Sequence, residues 1–561
     1  MDLFIFEENK PFVLTALKNG QFDYVDSASE VFETDFFRYI NAQSILAKCA
    51  QTYPTPRKKQ EVPLSLFIAS NLSMRLHGVH AFHAFPMVVR VGGMLNALGP
   101  RGGQKVTHPE TSDVTLFCEG FNQKNHYDRQ TPCDQDTLRK LAKDTDSDNL
   151  MDWYNHKVVQ IFRSKHAYDK EGLFIGDASY LFVPDNPNYE GSVTGRFDEH
   201  NHPVSKKAYE KMTAAQKDRC QWRRCYKMVT LIHTNRKLEY FLFVGIRVVS
   251  GMASECPILY EMVDQFVEAV GTGVMKRLIL DRGFLDGAKI GRCKKDHGID
   301  VLIPVRRNMD IYKDAEALFQ LPEVRWTTLE QAPRKPDQET PIARRRPQAV
   351  EKREKARQKT LERLAQEQPP PPPEKVVVKT EVAAIGDFTS WSSCTVPLTV
   401  VANREYYADG HEQTWYLLDT RQVCHAKDSR QDYALRTCIE ERYRQLKCFS
   451  DIATFTSRAF SLVVNQVIFT LLAYSLLQLF LLRQGRKALN NKPTPKIRQQ
   501  LLPSNHHIIV YFQNYYGLFE QLEFMELMTV GLNDEARKKI GDKSRRLRRQ
   551  FKGVMTHPRP T

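Results

Sequence analysis

A chain of 561 residues has room for three or four domains of about 100–200 residues each and for a sizeable buried core. Its 81 Lys and Arg against 66 Asp and Glu leave a net charge of +15 and a pI near 9.2. That balance suits a polyanion, DNA first, though RNA or a membrane surface would also answer to charge alone. Eleven cysteines form no repeating framework, which speaks against a disulfide scaffold and for thiols in a reducing compartment. The acidic start Met1-Asp2-Leu3-Phe4 lacks the basic stretch of a secretory signal.

In chain order, Ser65–Ala97 reads as apolar helix kinked or broken at Pro86. Asp134–Thr145 and Asn149–Lys165 read as two more helices, the second with Met151, Tyr154, Val158 and Ile161 at helical spacing. From about residue 172 the texture changes to strands. Leu173–Val183, Arg224–Thr234 and Leu238–Val249 are rich in β-branched and aromatic residues, the last two joined as a hairpin by Asn235-Arg236-Lys237. A helix over Pro257–Val270 follows, then the short buried-type strand Arg277–Asp281. Next come a helix over Asp286–His297, stopped by Gly298, and the strand Val301–Val305. Three antiparallel strands followed by a βαβ crossover is the order of an RNase H-like core. Arg344–Arg363 holds nine Lys and Arg against three Glu, and Pro369–Pro373 is a run of prolines; both predict a solvated spacer. Val396–Val401 and Thr414–Thr420 predict two strands around an Ala408-Asp409-Gly410 turn. Phe460–Leu482 runs 23 residues without a charge. It is long enough to span a bilayer, but Asn465, Gln466 and Gln478 within it favour a helix buried inside a large protein. Arg537–Lys552 is a basic tail with nine Lys and Arg and one Asp.

The chemistry concentrates around Asp432–Lys447, read as one helix. On it Tyr433, Arg436, Glu440 and Lys447 project within a sector of about 60°, beside an apolar stripe of Leu435, Ile439 and Leu446; Ser429 and Asp432 suggest its start. Taken alone this is an amphipathic surface helix with i,i+4 ion pairs. Two further carboxylates change the reading. Asp177 sits in Leu-Phe-Ile-Gly-Asp and Asp281 ends Leu-Ile-Leu-Asp, both at strand positions where a carboxylate is costly unless something compensates its charge. A divalent metal would do so.

The motif Tyr-x2-Arg-x3-Glu-x6-Lys, matched by Tyr433, Arg436, Glu440 and Lys447, resembles the signature of bacterial insertion-sequence DDE transposases of the YREK, cut-and-paste group. Leu280-Asp281-Arg282-Gly283-Phe284 looks like that group's second aspartate box, and Gly176-Asp177-Ala178-Ser179 like its first. The resemblance covers about residues 172–305 and 412–485. It implies an α/β fold: an RNase H-like mixed sheet flanked by helices, a β-containing insertion before the Glu440 helix, and a mostly helical N-terminal region. The expected division is 1–145, an N-terminal DNA-binding region; 146–305, the first part of the core; 306–411, the insertion; 412–490, the rest of the core; and 491–561, a C-terminal region with the basic tail. It further implies that Asp177, Asp281 and Glu440 are catalytic and hold two Mg²⁺ ions, or Mn²⁺ in their place. Tyr433, Arg436 and Lys447 would grip DNA phosphates. Double-stranded DNA (element ends and target) is the expected partner, with a homodimer in the synaptic complex, no membrane, and a cytoplasmic, nucleoid-associated location in a bacterium. Trp326, Trp391 and Trp415 are candidates for stacking on a flipped base. The segment Pro184–Arg223 departs from the pattern.

The remaining signals are weaker. His77, His80 and His83 do not share one helix face, and Cys220 with Cys225 lacks the second pair that structural zinc requires. A catalytically inactive DNA-binding regulator of transposase descent and a membrane-anchored protein are the rival readings.

Overall fold

The computed structural model describes residues 10–22, 24–28, 31–58, 62–85, 94, 104–107, 114–117, 134–329, 377–423, 425–492, 507–512, 515–542 and 545. Pro86, the Arg344–Arg363 and Pro369–Pro373 runs, and most of the basic tail lie outside these. The chain divides into two compact units, one built from residues 1–301 and 435–561, the other from 302–434.

In the first unit, helices α1 (Lys10–Lys18), α2 (Val31–Ala42), α3 (Ile45–Thr52) and α4 (Leu64–Leu76) precede α5 (Gln135–Asp144), α6 (Ser147–Asp152) and α7 (Val159–Ser164). Asp134 caps α5, its carboxylate accepting from the Asp136 N–H. The helix expected over Asn149–Lys165 is interrupted by a π-helical turn, Trp153–Val158, between α6 and α7. Such a turn carries an extra residue per repeat and re-aims the side chains on it.

The largest sheet of this unit starts with β1 (Leu173–Val183), β2 (Val193–Phe197), β3 (Gln221–Thr234) and β4 (Phe241–Ser250). After α8 (Glu255–Val270) comes β5 (Arg277–Ile279), then α9 (Gly287–His297) and β6 (Asp300–Pro304). β3 pairs antiparallel with β1 on one side and with β4, then β2, on the other. β1 pairs with β5 in parallel. The expected hairpin is therefore present, α9 leads from β5 to β6 in the expected order, and with β1 and β5 parallel this is the RNase H-like mixed sheet. The Pro184–Arg223 segment is not a plain loop: it adds β2 and two short helices, Lys206–Glu210 and Ala214–Asp218, to the far end of β3. α9 ends as its sequence foretells, with Gly298 left-handed at φ 69 and Lys294 and Lys295 in the last turn. α8 packs on β1 where Gly176 admits it: a Cβ there would meet the Leu259 and Leu280 side chains at 2.8 Å.

In the second unit α10 (Asp310–Leu318) precedes a meander in which β7 (Thr327–Leu329), β8 (Val377–Phe388), β9 (Leu398–Tyr407) and β10 (Glu412–Asp419) pair antiparallel in turn, with residues 302–304 of β6 against β10. The Ala408-Asp409-Gly410 turn forms as expected, with Gly410 at φ +81 and the His411 N–H donating to Asp409 Oδ1. Helix α11 (Ala426–Ala434) closes this unit.

Back in the first unit, α12 (Thr437–Phe449) leads to α13 (Phe460–Arg483). α13 is the one described helix long and apolar enough to cross a membrane, and 83% of its most apolar window is buried inside the fold. Phe469 meets the rings of Tyr53, Phe67 and Trp153. Two polar residues of α13, Ser475 and Gln478, serve the outer edge of β4, whose backbone would otherwise lack partners. The Phe241 N–H donates to Gln478 Oε1 (3.2 Å) and the Phe243 N–H to Ser475 Oγ (3.0 Å). From the π-helical turn, Asn155 both accepts from the Ile246 N–H and donates to its carbonyl, and the Tyr154 hydroxyl donates to the Phe243 carbonyl. Helix side chains thus replace the missing neighbouring strand.

Candidate active site

The first unit brings Asp177, Asp281, Arg436, Glu440 and Lys447 onto one part of its sheet. β1 and β5 run parallel with Ile175 opposite Ile279, and continuing that register by two residues sets Asp177 level with Asp281. Neighbouring strands lie about 4.8 Å apart, and residues of equal parity share a face. β5 itself ends at Ile279; Asp281 follows it and opens a short 3-10 turn, its carboxylate accepting from the Arg282 N–H at 2.7 Å.

Helix α12 lies on the same face. The Tyr443 hydroxyl is 2.6 Å from Thr230 Oγ1, in a buried contact, and Thr230 is the residue paired with Asp177 across β1 and β3. One turn further, Lys447 Nζ donates to Ser179 Oγ at 2.7 Å, two residues beyond Asp177 on β1. At the start of the helix Arg436 bridges the carboxylates: its Nη2 donates to Glu440 Oε1 (2.8 Å) and its Nη1 is 3.8 Å from Asp177 Oδ2. Neither Tyr443 nor Thr230 was singled out by the motif, although Tyr443 follows Glu440 by three residues and so shares its side of the helix.

The expected single helix over Asp432–Lys447 is corrected. It breaks at Leu435–Arg436, where the Cys438 and Ile439 N–H groups donate to carbonyls only three residues back, and the break coincides with the division between the units. Tyr433 therefore belongs to α11 in the second unit, its ring 5.8 Å from that of Trp415. Ser429 and Asp432 do not start a helix. Both are buried within α11, with Ser429 Oγ donating to Asp419 Oδ2 and Asp432 3.6 Å from the Arg421 guanidinium. Helical periodicity holds on each side of the break; only the backbone at Leu435–Arg436 makes the two halves distinct helices. Of the candidate tryptophans, Trp326 lies under the Arg404 guanidinium at 3.9 Å and Trp415 near that of Arg430, both inside the second unit; Trp391 is half-buried there.

Electrostatics single out Asp177. Its side chain is 16% exposed, and its pKa is raised to about 7, chiefly by burial; Arg436 and the Ala178 N–H pull it down, and Asp281 and Glu440 add smaller upward pushes. The Lys447 ammonium is lowered by burial, against the pull of Asp177, and the Tyr443 phenol is raised well above its usual range, chiefly by burial. Two further carboxylates thus act on the charge of Asp177, with Arg436 set between Asp177 and Glu440. Among the described residues no three His, Cys, Asp or Glu side chains stand close enough to chelate one ion in this arrangement. Their chemistry nonetheless fits a hard divalent cation. All three donors are carboxylate oxygens, and the most buried one lacks full compensation.

Elsewhere, His77 binds the buried Glu33 at 3.0 Å and His80 lies between Arg75 and the Ser450 carbonyl. Cys220 and Cys225 are free thiols.

An RNase H-like sheet with carboxylates on β1, after β5 and on the helix laid across them is the framework of a DDE-type transposase. The transposase DDE domain family model matches residues 190–476, just over half of the chain, and the chain belongs to that family. The match takes in Asp281 and Glu440 and begins beyond Asp177. No curated protein matches the chain.

Proposed function

We propose that this protein is a cut-and-paste insertion-sequence transposase of the YREK group, acting in a bacterial cytoplasm on the nucleoid. Asp177, Asp281 and Glu440 are its catalytic carboxylates and hold two Mg²⁺ ions, or Mn²⁺. When bound, the ions supply Lewis-acid activation of water or of a DNA 3′-hydroxyl and stabilise the leaving oxygen of in-line phosphoryl transfer. The chain's own residues prepare that chemistry. Asp177, largely removed from water, offers a carboxylate whose ionisation a cation favours. Tyr443 and Thr230 set α12, and with it Glu440, against the strand of Asp177. Arg436, held by the two carboxylates without DNA, exchanges them for a phosphate when DNA arrives, and its planar fork suits phosphate oxygens. Lys447, kept upright by Ser179, adds a point charge, and Tyr433 a third DNA contact. Two copies on paired element ends form the synaptic complex.

The observation that supports this reading is the common face shared by Asp177, Asp281 and Glu440 within one unit. The test is Mg²⁺-dependent cleavage of duplex carrying the element's own ends. Alanine at Asp177, Asp281 or Glu440 is expected to slow cleavage by on the order of 10³-fold or more, about 4 kcal/mol of barrier, with end binding retained. Cleavage surviving any one substitution would remove that residue from the set. The Arg436 bridge is the feature that favours the alternative, a catalytically inactive DNA-binding regulator. Firm binding of the ends with no metal-dependent nicking by the wild-type protein would establish it.

A further inference from the structure

Away from the carboxylates, the first unit contains a cavity of about 310 Å³ between the end of α4, the start of α5 and the Phe455–Gln466 stretch that leads into α13. One of its walls is Arg75, only 4% exposed. Arg75 Nη1 donates to the Val79 carbonyl (2.9 Å) and to His80 Nδ1 (3.0 Å), while its Nε has no hydrogen-bond partner. The His80 Nε2–H faces the Ser450 carbonyl at 2.7 Å. That arrangement makes Nδ1 the acceptor and the ring neutral, so His80 supplies a lone pair to Arg75 and no countercharge. Among the described residues no carboxylate pairs with Arg75, and burial alone pushes its pKa down to about 9. A guanidinium out of water without a counter-ion is costly, and chains keep one where an anion can arrive.

The rest of the lining suits an anion. Arg139 and His83 stand at the cavity, and Ser457 accepts a bond from the Ala459 N–H, which leaves its hydroxyl proton to donate. Asp136 is the one acid in the lining; it is 61% exposed and already within 3.3 Å of Arg139.

We infer that this cavity is a binding site for a phosphate-type oxyanion, with Arg75 as the buried countercharge and Arg139 and Ser457 as further donors. The phosphate comes either from the DNA backbone or from a free phosphorylated small molecule; both present the same oxygens to the guanidinium fork. The inference does not depend on which residues catalyse cleavage.

Thermal melting of the full-length chain, with inorganic phosphate or pyrophosphate against chloride at equal ionic strength, tests it. The wild-type Tm should rise by several degrees with phosphate. Arg75→Met should abolish that rise while melting no lower than wild type without phosphate, because it removes an uncompensated charge. Arg139→Gln should weaken the phosphate response several-fold and leave the phosphate-free Tm nearly unchanged. If Arg75→Met yields no folded protein, Arg139→Gln decides. A duplex-binding titration against salt separates the sources. With a DNA phosphate, Arg139→Gln reduces the salt slope by about one; with a small molecule, DNA binding is unchanged while the phosphate effect remains. No phosphate-specific shift in wild type, or an equal shift in wild type and variants, would overturn the inference.

Discussion

Two faces of the first unit bury polar groups in opposite ways. Along the outer edge of β4, Ser475 and Gln478 of α13 and Asn155 of the π-helical turn are neutral and bonded to strand backbone, so each buried group meets a partner. On the face under α12, Asp177 is a half-buried carboxylate near two other acids, with Arg436 as the cation nearest to hand. The first arrangement builds structure, because a satisfied hydrogen bond costs little to bury. The second stores an imbalance that a cation can relieve, which is what a site requires. Asn465 of α13 is the exception on the structural side: it is buried with neither side-chain polar atom partnered, and no contact explains it.

The sharpest way to break this contrast is Asp177→Asn. A carboxyl whose folded pKa lies near 7 binds a proton that the unfolded chain releases near 4, so folded wild-type protein loses stability as pH rises through that window. In EDTA at pH 8 the amide should therefore stabilise the protein, by at most about 4 kcal/mol, and flatten the pH dependence between about 4 and 7. Urea unfolding at several pH values measures this, and equal stabilities at pH 8 would show that Asp177 carries no uncompensated charge. On the other face, Gln478→Leu and Ser475→Ala should each destabilise by about 1–3 kcal/mol, because a strand N–H loses its acceptor. Faster hydrogen exchange at Phe241 and Phe243 is the accompanying sign; unchanged protection would mean that another group covers the edge. The smallest effect is expected for Tyr443→Phe, about 1 kcal/mol in stability. In a double-mutant cycle, Thr230→Val should add little once Tyr443→Phe is present, whereas full additivity would deny the pairing.

Much of this was legible in the linear chain. β1, β3 and β4 announce themselves by β-branched and aromatic runs, α9 by its cap and its stopping glycine, and the candidate carboxylates by standing inside an apolar strand (Asp177), just after one (Asp281) and in a spaced motif (Glu440). Of the polar residues in Phe460–Leu482 that point to a buried helix, Gln478 finds its partner on β4 and Gln466 at the Ile452 and Thr454 carbonyls. Less was visible where neighbours decide. The strand Val377–Phe388 went unrecognised beside the charged and proline-rich runs, and β2 lay hidden in a hydrophilic insert because an edge strand takes its order from the strand it joins.

The amino-acid sequence by itself determined which residues could do chemistry and which segments could be strands or helices, since residue type, spacing and periodicity are local properties. Only the tertiary structure decided that the motif helix is two helices, that Tyr443 reaches Thr230 opposite Asp177, and that Arg75 is buried with no carboxylate paired to it among the described residues. Those outcomes depend on contacts between residues dozens to hundreds of positions apart, and periodicity carries no record of what a side chain will meet once the chain has folded.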